Sequence, residues 1–175
     1  IKFAENKRIP TGKEYIKMIE KKTAVLFEVS CAMGAICAKR KQKDVENLSA
    51  FGRNLGIAFQ ITDDLIGIIG DSKITKKPVG NDIREGKKSL PIILAIKKAR
   101  GQNRTKIMQV FGNSGVSKQQ INLAVNVIRS LGVEKEVRDV ALKYAQRAEK
   151  SISSYTGSAK NEMAGLLNFV TKRSL

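Results

Sequence analysis

The 175-residue chain has no histidine and no tryptophan. Without histidine there is no mixed Cys/His zinc site, no serine–histidine relay and no imidazole base. The two cysteines, Cys31 and Cys37, lie six residues apart in an apolar helical run. That spacing is a poor metal hook, so buried, reduced thiols are expected. No apolar run approaches the ~20 residues of a membrane span, and no secretory leader is visible. A cytoplasmic protein without a transmembrane segment is the expectation. Neither a P-loop pattern nor a Rossmann glycine fingerprint occurs, which removes support for nucleotide sites of those kinds.

Acid is also scarce. Lysine and arginine number 33 against 16 aspartates and glutamates, a formal charge of +17 spread along the chain. The spread argues against a disordered basic arm. Such a charge attracts nucleic acid or anionic membranes without identifying either. With three tyrosines and no recognisable nucleic-acid motif, nucleic acid is not expected as a partner. A basic nucleic-acid-binding helical protein stays as an alternative.

What is present reads as helix. Thr11 and Glu14 fit a capping box that opens a helix to about Arg40. Its apolar stripe is interrupted at Lys21-Lys22-Thr23. A second long helix is expected from Asp44 to the Gly67–Gly70 region, and another from Ser89 through Arg100, ended by Gly101. Further helices are expected over 104–111, from the Ser117–Gln120 capping box to Leu131, over 134–156 and over 160–173. No strand-like alternation of useful length emerges, nor any convincing interdomain linker. The expected fold is a single all-α domain.

The scarce acids are not scattered at random. Phe59-Gln60-Ile61-Thr62-Asp63-Asp64 sets two adjacent carboxylates near the end of an apolar helix. They are costly there unless solvent, cations or hydrogen-bond donors reach them. Gln60 and Phe59 precede Asp63 by three and four residues, so they share its helix face. A lysine-rich loop follows, from Asp71 to Lys88. Acids and cations together suit a magnesium-bridged diphosphate, since Mg2+ takes one or two carboxylates together with phosphate oxygens. An exposed helix end with ordinary salt bridges is the plain alternative.

Three stretches carry a family resemblance: Tyr15 to Phe27, Phe51 to Asp64, and Lys77 to Pro91. Their order and separations resemble the C-terminal portion of trans-isoprenyl diphosphate synthases, especially those of the farnesyl and geranylgeranyl type. The resemblance covers essentially residues 1–175 and implies the C-terminal part of the isoprenoid synthase helical bundle. It implies a transferase that condenses an allylic diphosphate with isopentenyl diphosphate, using Mg2+. Asp63 is implied as the main metal contact, with Asp64 as a metal-site or hydrogen-bonding acid. Lys22 and Thr23 resemble the pair beside the reacting centre, and Gln60 the glutamine near the allylic group. Lys77 and Lys87 match lysines of the loop that closes over diphosphate, and Asp82 would position that loop, bridge a metal-bound water or pair with a lysine. Phe59 and Phe27 would line a prenyl cavity, with core packing as the alternative for Phe27.

Two departures qualify the match. The family's second aspartate-rich motif carries another aspartate where this chain has Gly67. Asp71 is no substitute, because it falls beyond the expected helix end at Gly70. The family's upstream half, with the first aspartate-rich motif, is not in this sequence. The expected partner is therefore that missing N-terminal half, covalent or separate, in a homo- or hetero-oligomer, and the isolated chain is expected to be inactive. A non-catalytic regulatory or assembly subunit is the second alternative.

Overall fold

The computed structural model describes residues 8–70 and 79–172. Expectations that rest on Asp71, Lys77 and Arg173 lie outside the described residues. Every regular element among those residues is helical. Helix α1 is Gly12–Ile19. Its capping box forms: Thr11 N donates to Glu14 Oε2 at 2.8 Å, and Glu14 N donates to Thr11 Oγ1 at 3.2 Å.

The expected single helix to Arg40 is broken in register. A π turn occupies Glu20–Ala24, and α2 continues as Val25–Cys37. The buried positions Tyr15, Ile19 and Ala24 record this, with spacings of four and then five residues. A π turn inserts one residue and so re-phases the apolar stripe. The residues that interrupt the stripe in the sequence, Lys21, Lys22 and Thr23, are those of the turn.

Helix α3 runs Gln42–Ile69, followed by a short α4 at Asn81–Arg84. Then come α5 (Leu90–Lys98), α6 (Gly101–Val110), α7 (Lys118–Ser130), α8 (Val133–Ser151) and α9 (Ser158–Lys172). The Ser117–Gln120 capping box is present. Gly101 does not end α5 as expected; with φ 48° it opens α6. Arginines replace the glycine cap: Arg100 Nη1 donates to Lys97 O and Arg104 Nη1 to Ile96 O, each at 2.6 Å. Carbonyls left open at a helix end need such donors.

The described helices form two compact units. The first comprises the residues through Tyr15 together with Asp63–Val137, and the second comprises Ile16–Thr62 and the residues from Arg138. The chain passes from one to the other inside α1, α3 and α8, not through linkers. The first unit's core includes Ile68, Ile83, Ile92, Ile107 and Ile128. In the second, Phe51, Leu55 and Ala58 of α3 pack with Ala145, Ala148, Ile152, Leu167 and Val170. No helix among the described residues is long and apolar enough to cross a membrane.

Within the second unit, α3 lies almost backbone to backbone against α2 and the π turn. A Cβ at Gly56 would sit 2.7 Å from Ala24 Cα, and one at Gly52 2.7 Å from the Phe27 carbonyl carbon. The two glycines therefore permit the close approach. Cys31 on the packed side of α2 is half-buried, and burial raises its thiol pKa. Cys37 is exposed at the end of α2, which corrects the expectation that both thiols are buried.

A methyl group at position 56 gains roughly 1 kcal/mol of helix propensity. It must also displace backbone, at about 1–3 kcal/mol or more. Gly56→Ala should therefore destabilise the chain by about 1–2 kcal/mol, seen as a lower urea midpoint. An unchanged or higher midpoint would show that α2 and α3 separate without cost.

Candidate functional site

In the second unit, the π turn holds Thr23 against α3. Its Oγ1 donates to Gln60 Oε1 at 2.7 Å. The side-chain oxygen of Gln60 is thereby fixed, which orients the whole planar amide. Lys22, beside Thr23 on the turn, is exposed. One residue before Gln60, the Phe59 ring lies 5.6 Å from that of Phe27, centroid to centroid. Both rings line an open apolar groove of ≈ 580 Å3, with Leu26, Leu48, Leu55 and Phe169 also on its walls. That volume falls within the roughly 300–1,000 Å3 of small-molecule sites.

In the first unit, Asp63 and Asp64 are half-buried near the end of α3, between the buried Ile61 and Leu65. Tyr15, itself 1% exposed, donates its hydroxyl to Asp64 Oδ2 at 2.7 Å. Burial first, and then the Asp64 charge, hold the Tyr15 phenol well above its ordinary pKa. It therefore remains a donor throughout the neutral range. In the sequence Tyr15 stands out only as the start of a stretch that carries the family resemblance, with no partner for its hydroxyl in view. The missed signal is that a buried tyrosine, unlike phenylalanine, needs a partner for its hydroxyl.

Asp82 is buried on α4 and accepts from Lys87 Nζ at 2.7 Å. Lys87 also pairs with Glu85 at 3.1 Å. The hydrogen bond to Asp82 is the main reason the Lys87 amine is held above its ordinary pKa. The Lys87 side chain stays 52% exposed, so its third N–H can reach another anion.

The donor set can be tested for magnesium. Among the described residues, no three acids or cysteines converge to hold a metal ion. The described residues alone build no closed cage. Magnesium needs none, because one or two carboxylates suffice when phosphate oxygens and water complete the shell. Asp63 and Asp64 fit that use.

The polyprenyl synthetase family model matches residues 1–128. A geranylgeranyl diphosphate synthase from Saccharolobus solfataricus is 38% identical over 156 residues, covering 89% of this chain and 47% of that protein. The crystal structure of a geranylgeranyl pyrophosphate synthetase from Pyrococcus horikoshii superposes with a TM-score of 0.85 at 32% identity, over 96% of this chain and 51% of the other. A geranylgeranyl pyrophosphate synthase from Corynebacterium glutamicum, complexed with isoprenyl diphosphate and magnesium, gives a TM-score of 0.83 at 27% identity, over 98% of this chain and 49% of the other. The chain spans about half the length of the relatives it matches.

Removing the Tyr15 hydroxyl leaves Asp64 one donor short in a half-buried place. Tyr15→Phe should cost about 1–2 kcal/mol of stability in urea unfolding. Equal stability of the two proteins would mean that the hydrogen bond contributes nothing net.

Proposed function

Because the chain belongs to the polyprenyl synthetase family, we propose that it is the C-terminal part of a magnesium-dependent prenyltransferase. The reaction joins an allylic diphosphate to isopentenyl diphosphate. The allylic C–O bond breaks, diphosphate leaves, the carbon cation adds to the isopentenyl double bond, and a proton is lost. The observation that carries this reading is the acid pair Asp63-Asp64, kept half-buried on α3 with Tyr15 bonded to its second member. Carboxylates retained at such a place are suited to a cationic ligand.

Magnesium, when bound, would neutralise charge on the leaving diphosphate. Asp63 and Asp64 are assigned to hold it. By the family resemblance, Lys22, Lys77 and Lys87 are assigned to supply positive charge for diphosphate. Thr23 and Gln60 are assigned to the allylic group, with the threonine oxygen facing the developing cation; their mutual hydrogen bond keeps both side chains from rotating. The apolar groove beside Phe27 and Phe59 takes the prenyl chain and excludes water. Asp82 positions Lys87. A cytoplasmic setting, in which Cys31 and Cys37 remain thiols, belongs to the same proposal.

A complementary upstream half, covalent or separate, is also part of it. Val25, Val29, Met33 and Ile36 form an exposed apolar stripe along α2, with Met33 57% and Ile36 60% accessible. Contiguous apolar surface of this kind marks a face made to be covered. The chain accounts for only 47% of the Saccharolobus protein, so that relative has chain to spare for it.

The 175-residue chain alone should show no steady-state condensation, and adding a polypeptide that carries the upstream half should restore it. In the completed enzyme, Asp63→Ala should lower turnover by at least about a hundredfold, as should removal of magnesium with EDTA. If the assembled Asp63→Ala enzyme keeps full activity, the chain is a regulatory or assembly subunit. Tight, salt-dependent nucleic-acid binding with negligible diphosphate binding would instead support the basic helical nucleic-acid binder.

A further inference from the structure

Arg53 follows Gly52 on α3 and reaches across, within the second unit, to the helix that carries the π turn. Its Nε donates to Glu28 Oε2 at 2.9 Å and its Nη2 to Glu28 Oε1, a two-point bond of guanidinium and carboxylate. Glu28 also accepts from Ser49 Oγ of α3 at 3.1 Å. On the other side, the same Arg53 Nε lies 3.8 Å from Glu20 Oε1. Glu20 is the first residue of the π turn, and Glu28 stands in the first turn of α2. One cation thus brackets the turn from both ends.

The bracket depends on helix phase. Residues eight apart on a regular α-helix, at 100° each, end about 80° out of line. Glu20 and Glu28 are eight apart, so on such a helix an arginine of α3 would face one acid or the other. The π turn absorbs one residue, and the effective separation of seven brings the two acids within about 20° of one another. Val25 N, which reaches five residues back to Glu20 O, records the surplus residue.

An exposed ion pair alone contributes little. Here the Glu28 side chain is only 21% exposed, and two groups of α3 hold its carboxylate. Thr23 lies inside the bracketed segment. A change of one residue in phase turns a side chain by about 100°, enough to take Thr23 Oγ1 away from Gln60.

We infer that Arg53, gripping Glu20 and Glu28 together, is a positioning residue that holds this helix in its π register and thereby keeps Thr23 on Gln60. The effect on catalysis rests on the prenyltransfer reading, whereas the register relation does not.

The test is a thermal-unfolding cycle of Arg53→Met and Thr23→Val on the 175-residue chain. Gln60, the partner of Thr23, lies seven residues beyond Arg53, about 10 Å along α3. Substitutions that far apart with no shared partner are normally additive. Thr23→Val in the wild-type background should lower the Tm by about 2–4 °C, the loss of one part-buried hydrogen bond. In the Arg53→Met background it should lower it by less than about 1 °C, because the bond is already lost. Arg53→Lys keeps the charge and should recover much of the Thr23 effect. The pair Glu20→Gln/Glu28→Gln removes the acids instead of the arginine and should show the same muted response, which decides the matter where Arg53→Met does not fold. Equal losses from Thr23→Val in every background would overturn the inference.

Kinetics of the enzyme completed by its upstream half read the consequence. Arg53→Met should lower kcat about tenfold with each KM within about threefold, the pattern of a contact made in the transition state. Adding Thr23→Val should lower kcat no further. A purely stabilising arginine would shift the Tm and leave kcat of the folded enzyme unchanged, and that result would defeat the positioning role. If Thr23→Val alone leaves kcat intact, the assignment of Thr23 to the allylic group fails by itself, and the Tm cycle still decides the register claim.

Discussion

A carboxylate on an otherwise apolar helix has to be satisfied where it stands, and the first unit is arranged around that demand. Ile61, Leu65 and Ile68 are buried to within 1% on the stretch of α3 that carries Asp63 and Asp64. Moving an ionised acid out of water without a donor costs several kcal/mol, whereas a hydrogen bond to a charged group returns about 1.5–3. Tyr15 performs this service for Asp64 from α1, although the two residues are far apart in sequence. Lys87 performs it for Asp82. The Tyr15 hydroxyl comes from outside α3, so Asp64 helps fix where the start of α1 must dock, whereas the Lys87–Asp82 bond lies within the α4 loop and sets its local shape.

The second unit meets a different constraint, the register of a single helix. A regular α-helix cannot keep Ile19 and Ala24 on one buried side, because the step between them is five residues. The π turn absorbs the surplus residue and places Thr23 against Gln60. Its cost is a poorer local ladder, offset by the close packing that Gly52 and Gly56 allow. Such turns recur at functional sites because they re-aim a side chain without ending the helix. The same irregularity therefore serves packing and Thr23 at once.

These features differ in how far they could be read from residues alone. Both capping boxes and the extent of α3 were legible, because local spacing and short-range hydrogen bonds determine them. The interruption at Lys21-Lys22-Thr23 was visible, but its meaning was not, since a π turn and an ordinary polar break look alike in one sequence. Gly101 misled for a tertiary reason: side chains of Arg100 and Arg104 supply what a capping glycine normally would. The acid pair was legible as a chemical anomaly, while its partner Tyr15, 49 residues away from Asp64, was not.

Charge at two length scales bears on the proposed ligand in opposite ways. The chain as a whole carries +17, and a field of that sign draws polyanions in from solution and raises their encounter rate. At contact distance the sign reverses: Asp63 and Asp64 would repel a bare diphosphate. Lys87 offsets this only in part, because its amine already pairs with Asp82 and Glu85. A divalent cation on the acid pair inverts the local sign and leaves the distant field intact. Under the proposed function, attraction at long range combined with refusal at contact would make acceptance of diphosphate conditional on the metal. A site built of lysine alone would bind phosphate indiscriminately, whereas carboxylates set into a basic chain admit it only with its cation.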